Sequence, residues 1–123
     1  MILSNMNILL ICEEKHLVAL ILHWLFKDTS FDITKVDIAT TSDEAKKKAE
    51  NGEYDLVIVD GTLGDTSGSA LIDTILAIKN PGLPYILMSG KPALECEWLL
   101  KKPFHPKEFL EMVTKRLSTT KAA

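Results

Sequence analysis

The chain has 123 residues, a length that fits one domain able to bury a real core. Hydrophobic residues make up 46% and charged residues 25%, the ordinary balance of a soluble globular protein. The formal net charge of −3 argues against direct binding to a nucleic-acid backbone, which needs a dense basic surface.

Residues 8–11 form a continuous apolar run, long enough for a buried strand. Leu17, Leu20, Ile21, Trp24 and Leu25 then recur at helical spacing. Residues 36–40, rich in β-branched side chains, read as a second strand. Ser42-Asp43-Glu44 resembles a helix N-cap followed by an acidic first turn. Ala45 and Ala49 give this helix a small inward face, and Gly52 is placed to end it. A third run, residues 56–59, ends at Asp60, and Gly61, Gly64 and Gly68 predict a flexible loop after it. Ala70, Leu71, Ile75 and Ile78 form the next helical stripe, broken by Asn80-Pro81-Gly82. Residues 85–88 and 98–100 read as a fourth and a short fifth strand. His105-Pro106 introduces a last helix with Phe109, Met112, Val113 and Leu117 on one face. The end of the chain is small and polar, so the domain is expected over 5–118 and a fraying polar tail over 119–123.

Two cysteines, Cys12 and Cys96, without framework or zinc spacing, suggest reduced thiols in a cytoplasmic protein. The start carries no signal-peptide pattern, and no run of about twenty apolar residues predicts a membrane span. The Lys46-Lys47-Lys48 run reads as a solvated helix face, and His16, His23 and His105 are scattered.

Apolar strands each followed by a helix imply a parallel sheet covered on both faces. Ligands of such sheets bind beyond the carboxyl ends of the strands. The polar residues at those ends are Glu13 and Glu14, Asp60, Ser89 and Lys102. A carboxylate beside a flexible loop can act as a nucleophile. Attack on a phosphoryl group requires its oxygens to be neutralised, by a lysine and by a divalent cation held on carboxylates. A serine hydroxyl can hydrogen-bond the same oxygens. Such a set would accept a phosphoryl group on Asp60.

Four segments, NILLICEEKH, YDLVIVDGTLGDTSG, PYILMSG and LLKKPF, resemble in order the signature segments of response-regulator receiver domains. The second is the most telling, with an apolar strand ending in aspartate and a glycine eight residues later. The resemblance implies a flavodoxin-like, doubly wound, five-stranded parallel sheet of order 2-1-3-4-5. It implies that Asp60 is the phosphoacceptor, that Ser89 contacts the phosphoryl group, and that Lys102 pairs with it. A cis peptide before Pro103 is implied as well. Glu13, Asp60 and the Thr62 carbonyl match the magnesium ligands.

The chain departs from the family in three places. The acidic pair after the first strand falls on Cys12 and Glu13, or, slid by one residue, on Glu13 and Glu14. The first register keeps four apolar residues in the strand. It loses one carboxylate, so weakened magnesium binding is expected. The stretch between Ser89 and Trp98 is short for a full crossover helix, predicting a shortened fourth helix and a less covered sheet that favours a partner or a dimer. The switch aromatic of the family falls on Leu99, with Trp98 pointing to the opposite side.

The expected function is a phosphorylation switch in a two-component system, with Asp60 phosphorylated by a sensor histidine kinase or phosphotransfer protein. Its output would pass through an effector domain or a homodimer, without enzymatic turnover and without membrane or nucleic acid as direct partner. The competing expectation is a pseudo-receiver, a constitutive protein-interaction module in which Asp60 is a relic. A flavodoxin-like cofactor binder or small hydrolase on the same scaffold ranks below both, because no phosphate-binding glycine fingerprint follows the first strand.

Overall fold

A computed structural model describes residues 3–28, 31–64, 66–79, 81–90 and 98–121. The elements are β1 (Leu3–Ile11), α1 (Lys15–Lys27), β2 (Phe31–Ala39), α2 (Ser42–Asn51), β3 (Leu56–Asp60), α3 (Gly68–Ile78), β4 (Tyr85–Ser89), β5 (Leu99–Lys101) and α4 (Pro106–Lys121). The five strands form one sheet of order β2-β1-β3-β4-β5, and every neighbouring pair is parallel. The doubly wound, flavodoxin-like architecture expected from the sequence is therefore the one observed. The shortened fourth helix was expected within residues 90–97, and residues 91–97 lie outside the described ones.

Strand alternation sorts the core into two layers. Ile8, Leu10, Leu56, Ile58, Ile86, Met88 and Leu100 pack with Ile21 and Leu25 of α1 and with Phe109, Val113 and Leu117 of α4. Their sequence neighbours Leu9, Ile11, Val57, Val59 and Leu87 pack with Ala45 and Ala49 of α2 and Leu71, Ile72 and Ile75 of α3. All five residues of β3 are buried, as a strand covered on both faces requires. Each large apolar side chain taken fully out of water contributes about 1.5–3 kcal/mol, so the central strands are the most strongly held part of the fold.

Several boundaries differ from the sequence expectation. β1 begins at Leu3 rather than Ile8, and its pairing with β2 shifts register between Leu3 and Asn7. Asn5 takes a positive φ of 59° there, a conformation that asparagine tolerates better than most residues. β2 begins at Phe31 rather than Val36, because a sheet-edge strand keeps polar residues such as Asp32 and Lys35 in water. The N-cap of α2 is Thr41, one residue before the expected Ser42: its hydroxyl accepts from the Glu44 N–H at 3.2 Å. Glu44 in turn accepts from the Thr40 N–H at 2.7 Å, a variant of the capping box. α4 stays helical to Lys121, so the expected polar tail begins inside this helix.

Candidate functional site

β3 delivers Asp60 to the carboxyl rim of the sheet, where its carboxylate is 94% buried. Three groups surround that carboxylate, two of them from distant parts of the chain. The Lys102 ammonium donates to Oδ1 at 2.8 Å. The Thr62 backbone N–H donates to the same oxygen at 3.2 Å. The Cys12 thiol donates to Oδ2 at 3.6 Å. A buried carboxylate is tolerable only when paired and hydrogen-bonded, and this one is both.

Lys102 follows the short strand β5, and its backbone N–H donates to the Ser89 carbonyl at 2.8 Å. The peptide bond between Lys102 and Pro103 is cis, as the resemblance implies. Phe104, two residues on, packs against Trp24 and Phe109, with ring centroids 6.2 and 6.1 Å away. This aromatic cluster anchors the turn that aims the lysine. Lys101 is exposed, and Lys102 is the lysine that reaches Asp60.

Ser89 ends β4 and is buried. Its hydroxyl lies beside Gly61, since a Cβ on that glycine would stand 3.1 Å from Ser89 Oγ. The Gly61 N–H also donates to the Met88 carbonyl at 2.6 Å, which ties the loop after Asp60 to the end of β4. Gly68, the glycine singled out in the second segment, opens α3 directly over Asp60. Its N–H donates to the Gly61 carbonyl at 3.1 Å, and a Cβ there would fall 2.2 Å from the Asp60 carbonyl oxygen. Only a residue without a side chain lets the helix start this close to the end of β3.

At the rim after β1, Cys12 stands beside Asp60 and Glu13 over the loop that follows it. Cys12 is fully buried and continues the inward series of Ile8 and Leu10. Glu13 is exposed, and its carboxylate lies against Gly64, whose added Cβ would meet Oε2 at 3.1 Å. Glu14 is the N-cap of α1 and makes no side-chain cap bond. Burial pushes the Cys12 thiol up to about 11. The Asp60 charge adds to this, while the Glu14 backbone and Lys102 pull the other way. In the sequence Cys12 reads only as a reduced thiol after an apolar run, and its contact with Asp60 follows from the pairing of β1 with β3.

The five site residues expected from the sequence, Glu13, Asp60, Thr62, Ser89 and Lys102, thus gather at one rim. Among the described residues no three His, Cys, Asp or Glu side chains are arranged to hold a metal ion. The hard oxygen donors at the rim are the Asp60 and Glu13 carboxylates and the Thr62 carbonyl. Glu13 folds over Gly64 of the same loop that carries Asp60 and Thr62. Such a set suits magnesium, which binds through one or two carboxylates and keeps several waters. On the far side of β5, Leu99 packs in the α2–α3 layer. Trp98 instead stacks under the Arg116 guanidinium of α4, 3.8 Å from the ring centroid, so the two residues point apart as expected.

A doubly wound α/β domain with a lysine-paired aspartate at its switch point has the architecture of a signalling receiver. The sequence profile of the response regulator receiver domain matches residues 9–114. The chain belongs to that family, whose members are the receiver domains of two-component systems. Solved structures agree on the fold. A CheY-like receiver domain protein from Methanospirillum hungatei JF-1 shares 24% identity at a TM-score of 0.82, over 97% of this chain and 98% of that one. The receiver domain of sensor histidine kinase PA1611 from Pseudomonas aeruginosa PAO1, solved with magnesium in its active-site cleft, shares 19% at 0.79, over 94% and 99%. The response regulator PhyR from Brucella abortus shares 23% at 0.79, over 98% of this chain and 51% of that one, so the chain spans about half of PhyR. No curated protein matches the sequence. Among the described residues no helix is long and apolar enough to cross a membrane.

Proposed function

We propose that Asp60 is a phosphoacceptor and that the domain is a phosphorylation switch acting in the cytoplasm. A carboxylate oxygen of Asp60 attacks the phosphoryl group of a phosphohistidine on a sensor kinase or phosphotransfer protein. The P–O bond forms as the P–N bond breaks, and the imidazole leaves with the electron pair and takes up a proton. Lys102 neutralises charge on the transferring oxygens, and the Ser89 hydroxyl donates to one of them. Magnesium, held weakly by Glu13, Asp60 and the Thr62 carbonyl, would supply further positive charge at the same oxygens. The product is an acyl phosphate carrying about −1.5 to −2 charges, enough to draw in Ser89 and Lys102 and to bias a surface toward an effector domain or a second copy. The domain turns over no external substrate and is a signalling element rather than an enzyme.

The observation that carries this reading is the 2.8 Å pair between Lys102 and Asp60, formed between residues 42 positions apart at one rim. Acetyl phosphate with millimolar magnesium should give a single phosphoryl adduct by intact mass, lost in Asp60→Ala. A wild-type protein that stays unmodified would sink the reading. It would favour the pseudo-receiver, for which the thiol in place of a carboxylate at position 12 is the supporting observation.

A further inference from the structure

Cys12 places an uncharged side chain in direct contact with the Asp60 carboxylate. Its thiol is fully buried, stands 3.6 Å from Oδ2 while Lys102 bonds Oδ1, and reaches the Glu14 carbonyl at 3.8 Å. A thiol at neutral pH carries no charge and is a soft donor, so it brings neither repulsion nor a hard oxygen to this spot. Among the described residues the near charges are those of Asp60, Lys102 and, at the exposed edge, Glu13. Lys102 balances Asp60 one to one, and among the described residues no second carboxylate is buried.

We propose that Cys12 sets the divalent-cation dependence of this pocket, leaving Lys102 as the resident counter-charge of Asp60 and making magnesium an auxiliary. The proposal deepens the phosphoacceptor reading and takes its biological meaning from it, but cation binding is measured without any phosphoryl donor. A carboxylate at position 12 would lie within about 4 Å of Oδ2, a separation at which two negative charges repel strongly in a partly dry site. A divalent ion between them would relieve that repulsion and gain a third hard ligand besides the Thr62 carbonyl. Cation affinity rises with the number of charged oxygen ligands. Cys12 is thus a specificity-determining position for the metal, acting through Asp60 rather than on the reacting phosphorus.

The test is a magnesium titration of the full chain followed by amide NMR, on wild type, Cys12→Ser and Cys12→Asp. The expected result is an apparent affinity about tenfold or more tighter in Cys12→Asp, and Cys12→Ser within about threefold of wild type. A purely structural role would move serine and aspartate together, and so overturns the proposal. So does an unchanged affinity in Cys12→Asp, or wild-type binding as tight as that variant's. Should Cys12→Asp fail to fold by circular dichroism, Cys12→Asn brings a hard oxygen without the charge. It should tighten binding by a smaller factor, and no tightening there counts against the proposal. A second readout is the ratio of acetyl phosphate labelling rates with magnesium and with chelator, expected shallow in wild type and steep in Cys12→Asp. Absence of labelling in every variant would sink the phosphoacceptor reading while leaving the titration to judge Cys12.

Discussion

Replacing Gly68 by alanine tests the geometry most directly, because two general expectations oppose each other there. Gly68 is the first residue of α3, and glycine to alanine inside a helix stabilises by at most about 1 kcal/mol. Against this, the added methyl would stand 2.2 Å from the Asp60 carbonyl oxygen, 2.8 Å from Gly61 Cα and 2.9 Å from Asp60 C. These are backbone atoms, which cannot rotate away as a flexible side chain can. An ordinary contact requires the start of α3 and the end of β3 to part by roughly 1 Å. Such overpacking costs about 1–3 kcal/mol. Loss of the Gly68 N–H bond to the Gly61 carbonyl adds about 1 kcal/mol. The net expectation is a destabilisation of about 1–3 kcal/mol, read in urea as a lower midpoint at unchanged m-value. A shift of about 1 Å at the acceptor also predicts a phosphorylation rate lower by about 10²-fold. An alanine variant more stable than wild type, or one labelled by acetyl phosphate at the parental rate, would refute the close approach.

Further measurements address two other contacts. The Tyr54 hydroxyl donates to Asp37 Oδ2 at 2.6 Å, and this bond is the first cause that holds the Asp37 carboxyl below its usual range, with Lys35 assisting. Tyr54→Phe should cost about 1 kcal/mol at pH 7, the net value of a partly exposed bond to a charged group. Because the folded value of Asp37 is depressed, its contribution is present above the ordinary carboxylate value and fades as pH falls through the lower folded one. The gap between the two proteins should therefore narrow in acid, and a gap constant from pH 7 to pH 3 would contradict the bond. Burial, then Asp37, holds the Tyr54 hydroxyl well above its usual range. Wild type should therefore lose stability above pH ~10, where the unfolded tyrosine ionises, and the phenylalanine variant should not. Cys12, fully buried, should resist iodoacetamide at pH 8 in native protein and react after unfolding, as read by peptide mapping. Rapid native labelling of Cys12 would place its thiol in solvent rather than on Asp60.

What the sequence disclosed follows how strongly each element is buried. β3 and β4 carry a continuous apolar signal because both of their faces are covered, and their limits were readable to within a residue. β2 lies at the edge, so residues 31–35 carry charges that hide half the strand. The first residues of β1 were hidden by the irregular pairing around Asn5. Asp60, Ser89 and Lys102 were legible because each ends or follows an apolar run in a recognisable segment. The contact of Cys12 with Asp60 was not, since a buried cysteine that ends an apolar run looks like one more core residue. Its meaning appears only when β1 and β3 are paired in register, with Ile11 opposite Val59, so that the residues after each lie side by side.

That adjacency has a topological cause. The chain leaves β1 toward one side of the sheet and leaves β3 toward the other, in a sheet ordered β2-β1-β3-β4-β5. Right-handed crossovers running in opposite directions place their helices on opposite faces. α1 accordingly packs in the layer with α4, and α3 in the layer with α2. The two connections separate above the β1–β3 boundary and open a crevice there. Residues 12–13 and 60–62 line it whatever their identity, so the fold fixes where the pocket is. The side chains then decide its charge. Lys102 arrives from two strands away, on a turn pinned by Phe104 against Trp24 and Phe109. A carboxylate so placed is balanced by an ammonium before any cation binds, and the thiol of Cys12 leaves that balance undisturbed. If the Cys12→Asp titration comes out as proposed, the cation dependence of the pocket is set by that one side chain on an otherwise unchanged scaffold.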